Sequence, residues 1–94
     1  MSSLSPEAQE GLALIRAYLR DEMTYWTLWE RYKAFFQAFE GRDETEFRLL
    51  DGIWADLEVT TSDRTLIDDH PGQYLDEDEL LIVLNRKLTA LDEA

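Results

Sequence analysis

The chain has 94 residues, 45% of them hydrophobic and 12% aromatic, with no cysteine and a net charge of −12 from 21 acids against 9 bases. That length holds a single domain, residues 1–94, burying roughly 60–65% of the surface that the unfolded chain exposes, enough for one modest core. The composition excludes a disulfide framework and a zinc–thiolate site, and the charge disfavours nucleic acid and anionic lipid while favouring basic partners.

The N-terminus lacks a basic stretch followed by an apolar one, and no apolar run is long enough to span a bilayer. A cytoplasmic protein with no membrane contact is the expectation. Ser5, Pro6 and Glu7 then read as an N-cap, a proline at the first helical position and a first-turn acid. Ala8, Leu12, Ile15 and Leu19 form one apolar stripe, so a helix is predicted over residues 6–21.

Thr24 is placed to cap a second helix over 25–40. Its stripe is aromatic: Tyr25, Leu28, Trp29, Tyr32, Phe35 or Phe36, and Phe39. Burial is expected for Trp29 and Phe36, and Gly41 stands where a helix end favours a left-handed residue. Trp26 falls one position off the stripe, either packed against the first helix or exposed as an interface anchor.

Asp43 and Glu46 have capping-box spacing and open a third helix over 44–59, with Phe47, Leu50, Ile53 or Trp54, and Leu57 as its stripe. Thr60-Thr61-Ser62-Asp63 break the pattern, and Asp68-Asp69-His70-Pro71-Gly72 reads as loop. Asp76 and Glu79 form a second capping box ahead of a last helix over 77–91, carrying Leu80, Leu84, Leu88 and Leu91. No strand-like alternation occurs. Short connections between amphipathic helices predict an all-α fold, an antiparallel four-helix bundle.

The charge is uneven along the chain. Residues 1–42 hold six acids and five bases, a net of −1, whereas residues 56–79 hold nine acids and one base, a net of −8. Asp76 to Glu79 are explained by the favourable interaction of carboxylates with a helix N-terminus. Asp56 and Glu58 are not, since they stand near a helix C-terminus, where the macrodipole opposes them. A basic ligand accounts for that placement better than folding does.

Other chemistry finds little support. His70 is the sole histidine, and its neighbours lack the alternating ligands and central glycine of a calcium loop, so no metal or other cofactor is expected. There is no phosphate loop, nucleophile elbow or Ser–His pair, and no enzyme activity is expected. The aromatics of the second helix could stack nucleic-acid bases, but a chain this acidic would repel the backbone.

The run Ile15-Arg-Ala-Tyr-Leu, then Trp29-x-x-Tyr32-x-x-x-Phe36, then Ala55-Asp56-Leu57-Glu58, Ser62-Asp63-Arg64 and Leu75-Asp76-Glu77-Asp78-Glu79-Leu80 resembles the colicin D-like bacterial immunity proteins, including those of contact-dependent growth inhibition. The similarity extends over roughly residues 12–91, as a pattern of helices and acids. It implies a helical bundle that occludes the basic active-site cleft of a tRNA-cleaving toxin domain, its carboxylates standing in for RNA phosphates. On that resemblance Asp56 and Asp63 match acidic positions used against the toxin. Where relatives carry a further acid between them this chain has Thr60-Thr61, and the loop acids Asp68 and Asp69 substitute, with Glu58 at the rim. The alternative is an acidic helical adaptor or an oligomeric structural subunit whose charged end is merely solvated. The sequence leaves the oligomeric state open, with a monomer favoured.

Overall fold

The computed structural model describes residues 4–40 and 43–93. Among them the chain is all-helical, with α1 (Pro6–Leu19), α2 (Tyr25–Ala38), α3 (Glu44–Glu58), α4 (Arg64–Asp69) and α5 (Glu77–Glu93) and no strand. The four expected helices lie within two residues of their predicted bounds. The fifth, α4, corrects the reading of residues 60–75 as loop throughout. Asp63 initiates it, its Oδ1 accepting from the N–H groups of Thr65 (2.9 Å) and Leu66 (3.4 Å), so the residue that breaks the α3 pattern takes the cap role its type favours. Gly41 lies outside the described residues.

The caps of the long helices follow local chemistry, with one exception. Ser5 accepts from the Ala8 N–H and Thr24 from the Thr27 N–H, each at 3.2 Å. Asp76 accepts from the Glu79 N–H at 2.7 Å, and the Asp76 N–H donates to Glu79 Oε1 at 3.3 Å, a complete capping box. The predicted box at α3 is only half formed. Asp43 accepts from the Thr45 and Glu46 N–H groups, but the Glu46 carboxylate does not return to Asp43. Instead it accepts the backbone N–H of Ser5 (2.7 Å) and the Ser5 hydroxyl (2.9 Å), tying the start of α1 to the start of α3.

One core runs through the four long helices: Ala8, Leu12, Ile15 and Tyr18 from α1, Leu28 and Tyr32 from α2, Leu50, Ile53 and Leu57 from α3, and Leu80, Leu84 and Leu88 from α5. Here the α2 stripe needs correction. Leu28 and Tyr32 are its only buried residues, while Trp29 and Phe36 are half-buried at the margin of the core. The reason is geometric: α2 packs chiefly on α1 and α3, and its aromatic face is wider than the seam they offer. The surplus rings pack on one another: Trp29 lies 5.5 Å from Trp54, and Phe36 stacks at 5.7 Å on Phe47, which is itself 47% exposed despite its place on the α3 stripe.

Two tyrosines set the direction of α2 against α3. The Tyr25 hydroxyl donates to the Leu57 carbonyl (2.6 Å) and the Tyr32 hydroxyl to the Leu50 carbonyl (2.7 Å). Ascending order on α2 meets descending order on α3, so the two run in opposite directions. Gly11 permits close approach of α1 and α2: a Cβ there would stand 2.2 Å from the Phe35 ring. The excursion carrying α4 is pinched at its base, where the Leu75 N–H donates to the Val59 carbonyl (3.0 Å) and the Thr61 N–H to the Leu75 carbonyl (2.8 Å). That pinch holds the end of α3 beside the start of α5.

Candidate functional site

The end of the molecule where α1 and α3 finish and α2 and α5 begin carries a groove of about 1110 Å³. Tyr18, Asp21, Glu22 and Met23 line it from the end of α1, and Thr24, Tyr25, Trp26 and Trp29 from the start of α2. Glu58, Thr60, Thr61 and Ser62 come from the end of α3, and Asp76 and Glu77 from the start of α5. Five carboxylates and four aromatic rings therefore meet, and none of the lining residues is a lysine or arginine.

Local structure explains how each side is held. Helix α1 ends in a Schellman motif: the Asp21 N–H donates to the Tyr18 carbonyl (3.0 Å) and the Glu22 N–H to the Ala17 carbonyl (2.9 Å). Asp21 takes the left-handed position with φ 62°, where glycine is the usual occupant. Its carboxylate also stands at the negative end of the α1 dipole, as Glu58 does on α3. Glu22 is paired with Arg20 at 2.5 Å, and Asp76 approaches Arg64 at 3.6 Å; both bases are largely exposed. These are solvated surface pairs of small energetic weight.

The groove floor is anchored by tyrosines. The Tyr18 hydroxyl donates to Glu77 Oε1 at 2.8 Å, joining the last turn of α1 to the first turn of α5. Burial pushes the Tyr18 hydroxyl well above its ordinary pKa, and the hydrogen bond and negative charge of Glu77 add to the shift. Tyr25 is raised by burial first and by Glu77 second. Both therefore stay protonated donors at neutral pH.

Trp26 is 68% exposed, which settles the alternatives left by its off-stripe position in favour of solvent. Its ring meets Tyr25 at 5.7 Å and Trp29 at 6.1 Å, both edge-on. The Lys33 ammonium stands 4.9 Å over the Trp29 ring.

Of the five acids expected to bind a partner, only Glu58 lines this groove. Asp56 is ion-paired with Lys87 of α5, both side chains being largely shielded from solvent, which corrects the idea that it is an unsupported acid at a helix end. Asp63 is exposed but holds the first turn of α4. Asp68 and Asp69 are exposed in the last turn of α4 and do not line the groove. Sequence reasoning missed Asp21, Glu22, Tyr18 and Tyr25 as a set with Trp26. Asp21 and Glu22 lie in the nearly neutral first 42 residues, and only a count in space puts them with Glu58 and Glu77. The signal within reach was Trp26, whose off-stripe position marked where the second helix has a wet face.

Among the described residues no group of three or more histidines, cysteines, aspartates or glutamates is arranged to hold a metal ion. His70 packs edge-on against Tyr74 at 5.9 Å. No described helix is long and apolar enough to cross a membrane. Comparisons with family models, with curated proteins and with solved structures found no match.

Proposed function

We propose that this chain is an inhibitor protein of the immunity type, which binds a basic toxin domain and occludes its RNA-cleaving cleft in the cytoplasm. The observation that carries the reading is the groove: five carboxylates from the ends of three long helices, with no lysine or arginine in the lining, around an exposed tryptophan on the fourth. A nuclease cleft holds phosphates with lysines and arginines. Carboxylates held in a fixed array meet those cations without reorganising, and a concave acidic surface focuses the field that steers encounter. Such a protein acts by occlusion and carries out no reaction of its own.

In this reading the four long helices act as an antiparallel bundle, and α4 is an insertion on the α3–α5 connection. That reading is supported by the opposed tyrosine bonds of α2 and α3 and by the mix of helix ends around the groove. The resemblance of the sequence to colicin D-like immunity proteins points the same way. The contact surface moves from the expected set: Glu58 stays, Asp21 and Glu77 join it, and Asp56 leaves because Lys87 occupies it. Asp68 and Asp69 remain exposed acids that can widen the contact.

The test is to look beside this chain's gene for one encoding a basic C-terminal domain, and to run a tRNA-cleavage assay with that domain. Stoichiometric protection is expected, weakening as salt is raised. Undiminished cleavage with the chain in molar excess would overturn the proposal.

A further inference from the structure

Trp26 is the most exposed large apolar side chain among the described residues, and it lines the groove beside acids from three helix ends. An indole left in water is unfavourable unless something covers it. The same aromatic row already shows what suits it, because the neighbouring Trp29 ring carries the Lys33 ammonium at 4.9 Å. The ring quadrupole attracts a cation, and the attraction strengthens where water is excluded. Trp26 adds to this the carboxylates of Asp21, Glu58 and Glu77, with no base of the chain lining the groove.

We infer that the groove is a seat for an arginine side chain of the basic partner, its guanidinium lying on Trp26 and its N–H groups donating to carboxylates among Asp21, Glu58 and Glu77. The inference rests on the partner-binding reading above and names the contact at its centre. Arginine fits better than lysine for two reasons. The guanidinium is planar and weakly hydrated, so it stacks on an aromatic face at small desolvation cost. It also presents five N–H donors in a fork, which an acceptor-rich groove can satisfy and a compact ammonium cannot exploit. The seat differs from a carboxylate array that merely imitates phosphates, because an aromatic face confers selectivity between two side chains of equal charge.

The experiment is calorimetric titration of the full chain with capped hexa-arginine and hexa-lysine peptides at physiological salt. Hexa-arginine is expected to bind about tenfold more tightly. Trp26→Leu should reduce hexa-arginine to the hexa-lysine value, whereas Trp26→Phe should keep most of the preference. Because Trp26 is exposed, both variants should retain the parent circular dichroism spectrum. Glu58→Gln should weaken both peptides, and Glu7→Gln, at the opposite end of α1, should weaken neither. Equal affinity for the two peptides, a preference surviving Trp26→Leu, or a larger effect of Glu7→Gln than of Glu58→Gln would each overturn the seat. Failures remain separable: an arginine preference dependent on Trp26 without tRNA protection would remove the toxin-inhibitor reading and leave the seat. Protection without the preference would do the reverse.

Discussion

At the end of the molecule where α1 and α3 begin, three of the acids have internal work. Glu46 is buried and accepts both polar hydrogens of Ser5, Asp43 caps α3, and Asp92 pairs with Arg16 at 3.2 Å. At the opposite end Asp21 and Glu58 stand at the negative poles of α1 and α3, in a groove without a base. The first end also has a depression, of about 860 Å³ around Phe35 and Phe39, lined like the groove by five carboxylates and no base, but Asp43 and Glu46 among them are satisfied by the fold itself and no exposed tryptophan stands there. The contrast separates two uses of the same side chain. A carboxylate with donors in reach stabilises the fold, whereas one placed against a dipole and among other acids gains nothing from it.

Four experiments break or sharpen this contrast. The largest effect is expected at Tyr32, fully buried between the two ends. Tyr32→Ala should cost about 3–5 kcal/mol, and Trp29→Ala should cost clearly less because its ring is half-exposed. Denaturant unfolding followed by both far-UV circular dichroism and tryptophan fluorescence should show one transition. Two separated transitions would mean that the ends do not share a core.

Alkaline pH comes next, because it attacks the tyrosine anchors together. Burial raises the folded pKa of Tyr18, Tyr25 and Tyr32 above the ordinary 10.0. Their contribution is complete below that ordinary value and is lost as pH rises through the folded values, so stability should fall above about pH 10. Tyr18→Phe with Tyr25→Phe should blunt that fall. A stability curve flat through the alkaline range would break the claim that these hydroxyls hold the groove floor.

The direct comparison is Glu46 against Glu58. Glu46→Ala leaves the Ser5 N–H and hydroxyl without their partner, and should cost about 1–3 kcal/mol. Glu58→Ala should leave the melting temperature unchanged or raise it. Asp56→Lys belongs with Glu46: it sets a lysine against Lys87 and should cost about 1–2 kcal/mol, recovered when Lys87→Glu is added. Equal effects at Glu46 and Glu58 would erase the distinction between the two ends.

The smallest expected effect has the opposite sign. Asp21→Gly removes a carboxylate from a helix C-terminus and puts glycine in a left-handed position, so it should stabilise the fold by about 0.5–1 kcal/mol. The same change should weaken binding of a basic partner. A variant that loses both stability and binding would show that Asp21 serves the fold after all.

The helices and most caps were legible in the sequence because both depend on neighbours within about four residues. The stripes Ala8-Leu12-Ile15 and Leu80-Leu84-Leu88 pointed inward as predicted, and Asp76 with Glu79 formed its box. Even the missed α4 carried a local sign, since Asp63 stands ahead of Leu66 and Ile67 with Pro71 beyond the end. Carboxylates were another matter. Asp56 is satisfied by a lysine 31 residues away and Glu46 by a serine 41 residues away, so no count of charge along the chain distinguishes them from Glu58. The groove likewise joins four chain segments, two of them in a stretch of nearly neutral sequence. Backbone periodicity is a short-range property and could be read from order alone. Which acids remain available to a partner depends on which donors the packed helices bring within about 3 Å, and tertiary structure alone decided that.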